Sequence, residues 1–243
     1  MSAGKTPTFS PFATRGFTLL ELALVLVALG VLTLFASSAF SGSNQKQVRQ
    51  QSSAEAEVAR EAIRYFVLAN KRLPCPDIDN NGYEDCVGGQ ERGFLPYLNL
   101  GLTENVSNRM RYAVYRNSVS NDDVTRLVER TGDAENTPDY MGYGDTLAAL
   151  ESIEPFPVNP AHIHVAGIDA AGVSTCDNGS HPAFLLIVPN QDQDADDNPF
   201  DGVNVSGNCF ANPLQPFAWN YDDFVATESL TALMGWLTRH INP

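Results

Sequence analysis

The stretch "TRGFTLLELALVLVALGVLTLFASSAF", residues 14–40, decides how the rest of the chain is read. From Phe17 to Phe40 it runs 24 residues with Glu21 as its one charged side chain. An apolar run of about 18 or more residues, rising about 1.5 Å per residue, is long enough to cross a bilayer as one helix. Lys5 and Arg15 precede it and no acid occurs among residues 1–16, which places the basic flank on the cytoplasmic side and the rest of the chain outside. A secretory signal peptide fits less well, because its apolar region is only about 7–15 residues long and a small-residue cleavage site should follow. Glu21 is the anomaly. A carboxylate in a bilayer costs about 2.5–3.5 kcal/mol on insertion scales, so its presence marks a function and a partner.

The segment Arg15-Gly16-Phe17-Thr18-Leu19-Leu20-Glu21 resembles the cleavage and methylation motif of type IV pilins and of the pseudopilins of type II secretion. The resemblance covers about 25 residues. It implies that a membrane-embedded prepilin peptidase cuts between Gly16 and Phe17 and methylates the new amine of Phe17. Glu21 is i+4 from Phe17 on one helix face. In the family's filaments this acid pairs with the amino terminus of a neighbouring subunit. A buried carboxylate is costly alone and tolerable when paired, so the pair would set the axial register of each incoming subunit.

Beyond Phe40 a polar break, Ser41-Gly42-Ser43-Asn44, is followed by helical patterning with no proline until Pro74. Val58, Ala62, Tyr65, Phe66, Ala69 and Leu73 recur at the spacing of one helix face. The sequence therefore divides into a leader (1–16), a transmembrane or filament-core helix (17–40), an amphipathic continuation (41–73) and a globular head (74–243). Major pilins often carry a proline about twenty residues into the mature helix. Here Ala36-Ser37-Ser38-Ala39 stands in that region, while Gly30 matches the family's helix-weakening glycine.

The 243 residues carry a formal net charge of −14, and loss of Lys5 and Arg15 with the leader would make the side-chain total −16. So acidic a chain is a poor primary contact for nucleic acid, and no direct nucleic-acid partner is expected. Arg109, Arg111 and Arg116 form the densest basic group, read as a strand edge rather than a binding patch. Cys75, Cys86, Cys176 and Cys209 all lie beyond the apolar run, and an even count in an exported domain favours disulfides. Three pairings are possible. Nearest-neighbour closure would contribute about 3 and about 4 kcal/mol through loop entropy. The spacing lacks the CxxC of a zinc site.

In the head, "RLPCPDIDNNGYEDC" (72–86) ends the long helix at Pro74 and Pro76. "GFLPYLNLGL" follows, and "RMRYAVY" (109–115) alternates as a strand does. These three stretches are similar to those of a group of larger pilin-like proteins for which no activity is known. "HIHVAGI" (162–168) and "AFLLIVP" (183–189) read as strands, the second central and buried, and 190–216 as a long loop. Residues 222–241 read as a C-terminal helix with a stripe of Phe224, Leu230, Leu233, Met234, Leu237 and Ile241.

Two acidic loops suggest calcium. Asp77, Asp79 and Asn81, with Asp85 and Gly82, occupy EF-hand-like positions, but position 12 is Gly88 rather than a bidentate glutamate. The second loop offers Asp192, Asp194 and Asp196, with Asp197 and Asp201 close by. Turns use the same residue types for their own hydrogen bonds. His162 and His164 share a strand face and could seed a metal pair. No pattern of a nucleophile with its base stands out, and an enzyme is not expected.

The sequence thus predicts an α+β, pilin-like chain: a long N-terminal helix, transmembrane then amphipathic, packed on an antiparallel sheet head with a C-terminal helix. Function follows the resemblance: a minor pilin-like subunit, with a type II secretion pseudopilin and a membrane-anchored, calcium-dependent adhesin as rivals. Its partners would be prepilin peptidase, other pilins or pseudopilins and the inner-membrane assembly platform. It would wait in the inner membrane with a periplasmic head, then pass to a surface pilus or a periplasmic pseudopilus. Glu21 argues against the tip pseudopilin that lacks this acid and decides nothing else between the rivals.

Overall fold

The computed structural model describes residues 19–104, 110–117, 123–130, 141–153, 157–193 and 197–241, with no side chains described over 34–44. The chain divides into two units, Met1–Lys46 and Gln47–Pro243. Helix α1, Leu19–Asn70, is continuous through the boundary, as the absence of proline between Phe17 and Pro74 allows.

In the first unit, the described side chains of α1 cover residues 19–33. Leu19, Leu20, Leu22, Leu24, Val25 and Leu26 are all exposed, and so are larger apolar residues through Leu32. The expected transmembrane half is corrected here: among the described residues no helix is long and apolar enough to cross a membrane. Along its length α1 carries Glu21 in its first turn and charged residues from Lys46 onward.

The second unit is built on a four-stranded antiparallel sheet in the order β1-β2-β5-β7. Its strands are β1 (Arg92–Phe94), β2 (Arg111–Val114), β5 (Phe184–Val188) and β7 (Phe224–Glu228). All five residues of β5 are buried, the pattern of a strand covered on both faces and paired on both edges. A second sheet, in the order β4-β3-β6, contains β3 (His164–Ile168), β4 (Ser174–Ser180) and β6 (Cys209–Phe210). It corrects the expectation of one antiparallel sheet, because β3 runs antiparallel to β4 and parallel to β6. Helix α2 is Tyr143–Ser152, helix α3 is Leu230–Ile241, and a short 3-10 turn spans Gly202–Asn204.

The head half of α1 presents Ala56, Ala59, Ile63, Phe66 and Val67 to the core. The expected face was rotated from this one: Phe66 and Leu73 are buried, but Val58 and Tyr65 are each 60% exposed. Ala56, Ala59, Ile63 and Val67 join Leu185, Leu186 and Ile187 of β5 in one buried cluster. Tyr65, with Ala62, Ala69 and Leu100, lines a surface groove of about 460 Å³ instead.

Residues 222–228 also depart from expectation. Phe224–Glu228 pairs with β5 over its whole length, and the C-terminal helix begins only at Leu230. Its buried face is Leu230, Leu233, Trp236 and Leu237.

Both disulfides adopt the nearest-neighbour pairing, Cys75–Cys86 and Cys176–Cys209, with Cα separations of 5.2 and 5.9 Å. The first closes the turn after α1, where Glu84 also accepts two hydrogen bonds from Arg72 at 2.8 and 2.6 Å. The strand following this turn comes very close to it. Gly93 is needed because a Cβ there would lie 2.3 Å from the Asp77 carbonyl oxygen.

Candidate functional site

The N-terminal site lies mostly beyond description: Gly16 and Phe17, the expected cleavage and methylation positions, fall outside the described residues. Glu21 is exposed in the first turn of α1, where the helix dipole favours negative charge.

The first acidic loop is brought together as expected but spends its oxygens internally. Asp77 is fully buried, and its carboxylate accepts the backbone N–H of Gly82 at 2.7 Å and of Asn81 at 3.2 Å. Asp79 also accepts the Asn81 N–H, Asn81 Oδ1 accepts the Tyr83 N–H, and Asp85 accepts that of Ile78. Burial raises the Asp77 carboxyl above its ordinary range, against the pull of those backbone N–H groups. Asp77, Asp79 and Asp85 each place one oxygen within 4.8 Å of the others, yet the hydrogen bonds are those of Asx turns.

The second loop is divided. Asp194 and Asp196 fall outside the described residues, and exposed Asp192 accepts the Asp197 N–H at 3.0 Å. The chain instead gathers Asp201, Asp222 and Asp223, of which only Asp201 was singled out by the loop's composition. Asp201 stands before the 3-10 turn and the other two stand before β7. They are 0, 9 and 2% exposed.

Asp201 Oδ1 accepts the Gln193 N–H at 3.1 Å and its Oδ2 accepts the Asp222 N–H at 2.8 Å. Asp223 Oδ2 accepts from the Asp201 N–H and from Asn204 Nδ2, both at 2.9 Å. Asp222 accepts the Gln191 N–H at 3.1 Å and Gln193 Nε2 at 2.8 Å. Asp223 Oδ1 is fully shielded and has no hydrogen-bond partner. Burial first, and then the neighbouring Asp201 and Asp222 carboxylates, push the Asp223 carboxyl up to about 7 despite its donors. The signal available in the sequence was Asp222-Asp223 itself, which the helical reading had assigned to a helix start.

The histidines form a cluster rather than a metal pair. His162 Nδ1 lies 2.6 Å from Glu91 Oε1, and its ring stacks on Tyr115 with centroids 4.7 Å apart. His164 Nδ1 donates to the His162 carbonyl, while His181 Nδ1 donates to the Ile163 carbonyl and its Nε2 accepts the Asn159 N–H. His164 also approaches Cys176 and Cys209, whose sulfurs are bonded to each other.

The arginines of the expected strand edge face inward. Arg111 stacks 3.8 Å over Phe200 and donates to the Asn204 and Val205 carbonyls. Arg116 donates to the carbonyls of Cys86 and Gln90. Arg109 falls outside the described residues. Compared with known proteins, the chain matches no protein-family model, no curated protein and no solved structure.

Proposed function

We propose that the chain is a minor pilin-like subunit of a type IV pilus-type filament, processed by prepilin peptidase after Gly16 and assembled through its N-terminal helix. One observation carries the reading. The N-terminal part of α1 exposes large apolar side chains from Leu19 to Leu32 with one acid among them, directly after a prepilin-like cleavage sequence. An apolar surface this continuous needs a cover. Neighbouring copies of such a helix supply one, and the amine on the Phe17 of a neighbour neutralises Glu21. The two disulfides suit a head that matures in an oxidising compartment. A large, loop-rich head packs poorly in a dense repeating shaft, which favours a sparse or terminal position. The inner-membrane assembly platform and the other pilins are the partners of this reading.

The test is mass spectrometry of the N-terminal peptide from sheared surface filaments and, separately, from inner membranes. The expected result is a peptide beginning at N-methylated Phe17 in the sheared fraction, far less abundant than the bulk subunit. Processed Phe17 confined to the cell envelope would transfer the chain to a secretion pseudopilus. An uncut chain retaining residues 1–16 would remove the filament reading.

A further inference from the structure

The Asp201, Asp222 and Asp223 seam has a property that the Asp77 loop lacks. In the Asp77 loop, Asp79 is exposed to solvent and no buried carboxylate oxygen is left without a donor. In the seam, three carboxylates are withdrawn from water within 4.8 Å of one another, and Asp223 Oδ1 meets neither donor nor solvent. Among the described residues no lysine or arginine forms an ion pair with any of the three. The nearby guanidinium, Arg111, is committed to two backbone carbonyls. Buried carboxylates are relieved either by taking up a proton or by a cation, and the hydrogen bonds that order these side chains supply no positive charge.

We propose that this seam is a binding site for a hard divalent cation of the calcium type, held by one oxygen each from Asp201, Asp222 and Asp223, with Asp223 Oδ1 as the ligand that now lacks a partner. The donor set is all oxygen, which suits calcium or magnesium and not the nitrogen- and sulfur-preferring metals. Calcium ligands at about 2.3–2.6 Å can stand up to about 5 Å apart across the ion, and one oxygen of each of the three residues lies within 4.8 Å of the others. The backbone N–H groups of Gln191, Gln193, Asp201 and Asp222 hold the carboxylates in place, leaving a second lone pair on each Asp201 and Asp222 oxygen and both on Asp223 Oδ1. The ion would fasten the loop after β5 to the start of β7. The site does not depend on the filament reading and would exist in any protein built on this head.

The experiment is calcium titration of the full chain in detergent, freed of metal with a chelator, followed by calorimetry and by thermal melting. One saturable ion is expected, with a rise in melting temperature. Asp223→Asn preserves the size of the side chain and removes its charge, so it should fold in chelator, lose the melting response and bind at least about tenfold more weakly. Asp222→Asn serves as a second variant should Asp223→Asn fail to fold, and is expected to weaken binding likewise. Asp79→Asn in the other loop should leave affinity within about twofold. Absence of heat and of any melting shift up to about 5 mM calcium would overturn the proposal. So would a response that Asp79→Asn abolishes, or one that Asp223→Asn leaves intact.

Discussion

Replacing Glu228 with glutamine tests how α1 is attached to the head. Glu228 ends β7 at 2% exposure, and its carboxylate accepts Arg64 Nη2 at 2.8 and 3.1 Å and lies 3.4 Å from Arg60 Nε. Arg60 and Arg64 are one turn apart on α1, and Arg64 also lies 5.6 Å over the Trp236 ring of α3. One acid therefore ties a helix to a strand and to a second helix. Removing one partner of a buried pair costs about 3–5 kcal/mol because the remaining charge is stranded. Here the arginine side chains are 22 and 16% exposed, so water recovers part of their solvation and the lower figure applies. Glu228→Gln should lose about 3 kcal/mol. At a urea slope of roughly 2 kcal/mol per molar, the midpoint of unfolding should fall by about 1.5 M with the slope unchanged. Arg64→Met should cost less alone and show a coupling of about 1–2 kcal/mol with Glu228→Gln in a double-mutant cycle. A loss below about 1 kcal/mol would class the pair with surface ion pairs and refute the argument that burial strands the arginines.

The two disulfides and the histidine cluster give further expectations. Cys176→Ser with Cys209→Ser opens a loop of 33 residues and should cost about 4 kcal/mol in equilibrium unfolding, against about 3 for Cys75→Ser with Cys86→Ser; an order reversed by more than about 1 kcal/mol would show that strain or residual unfolded structure outweighs chain entropy. For His181, burial holds the imidazole below its ordinary value of 6.5, with the neighbouring His164 and His162 acting in the same direction and the Ile163 carbonyl opposing. The unfolded chain then takes its proton first, so stability is full above 6.5 and falls as pH drops toward the folded value. His181→Gln should flatten the difference between urea midpoints measured at pH 7.5 and 5.5, and an unchanged difference would place the titrating group elsewhere.

Much of the helix and strand content was legible because it is written locally. The proline-free run predicts α1, and the apolar block 183–189 predicts a central strand, borne out by β5 between β2 and β7. What sequence could not fix was the phase of α1. The expected stripe of Val58, Ala62, Tyr65, Phe66, Ala69 and Leu73 and the buried one of Ala56, Ala59, Ile63, Phe66 and Val67 share Phe66 and differ by a small rotation, which apolar spacing alone does not resolve. The core takes Ala56, Ala59, Ile63 and Val67 together with Leu185, Leu186 and Ile187 of β5 and leaves Val58 and Tyr65 exposed. Pairing of the cysteines was open for a similar reason: only the parallel placement of β6 beside β3 shows where Cys209 lies relative to the strand that carries Cys176.

Asp222 and Asp223 show the same dependence on distant partners at the level of chemistry. Acids ahead of an apolar run fit a helix N-terminus, where the dipole favours them. They fit equally well ahead of a strand when another part of the chain supplies donors. Those donors come from Gln191, Gln193, Asp201 and Asn204, 19 to 31 residues away along the chain. Local periodicity carries no information about such partners, so the acidic character of 190–216 was visible while its focus was not. The loop was singled out by composition, and the seam by burial. Exposed Asp192 satisfies one backbone N–H, whereas Asp223 keeps an oxygen in the interior with nothing to accept from. An unfilled oxygen in a close-packed interior is a constraint on what else must be present, which a count of aspartates is not.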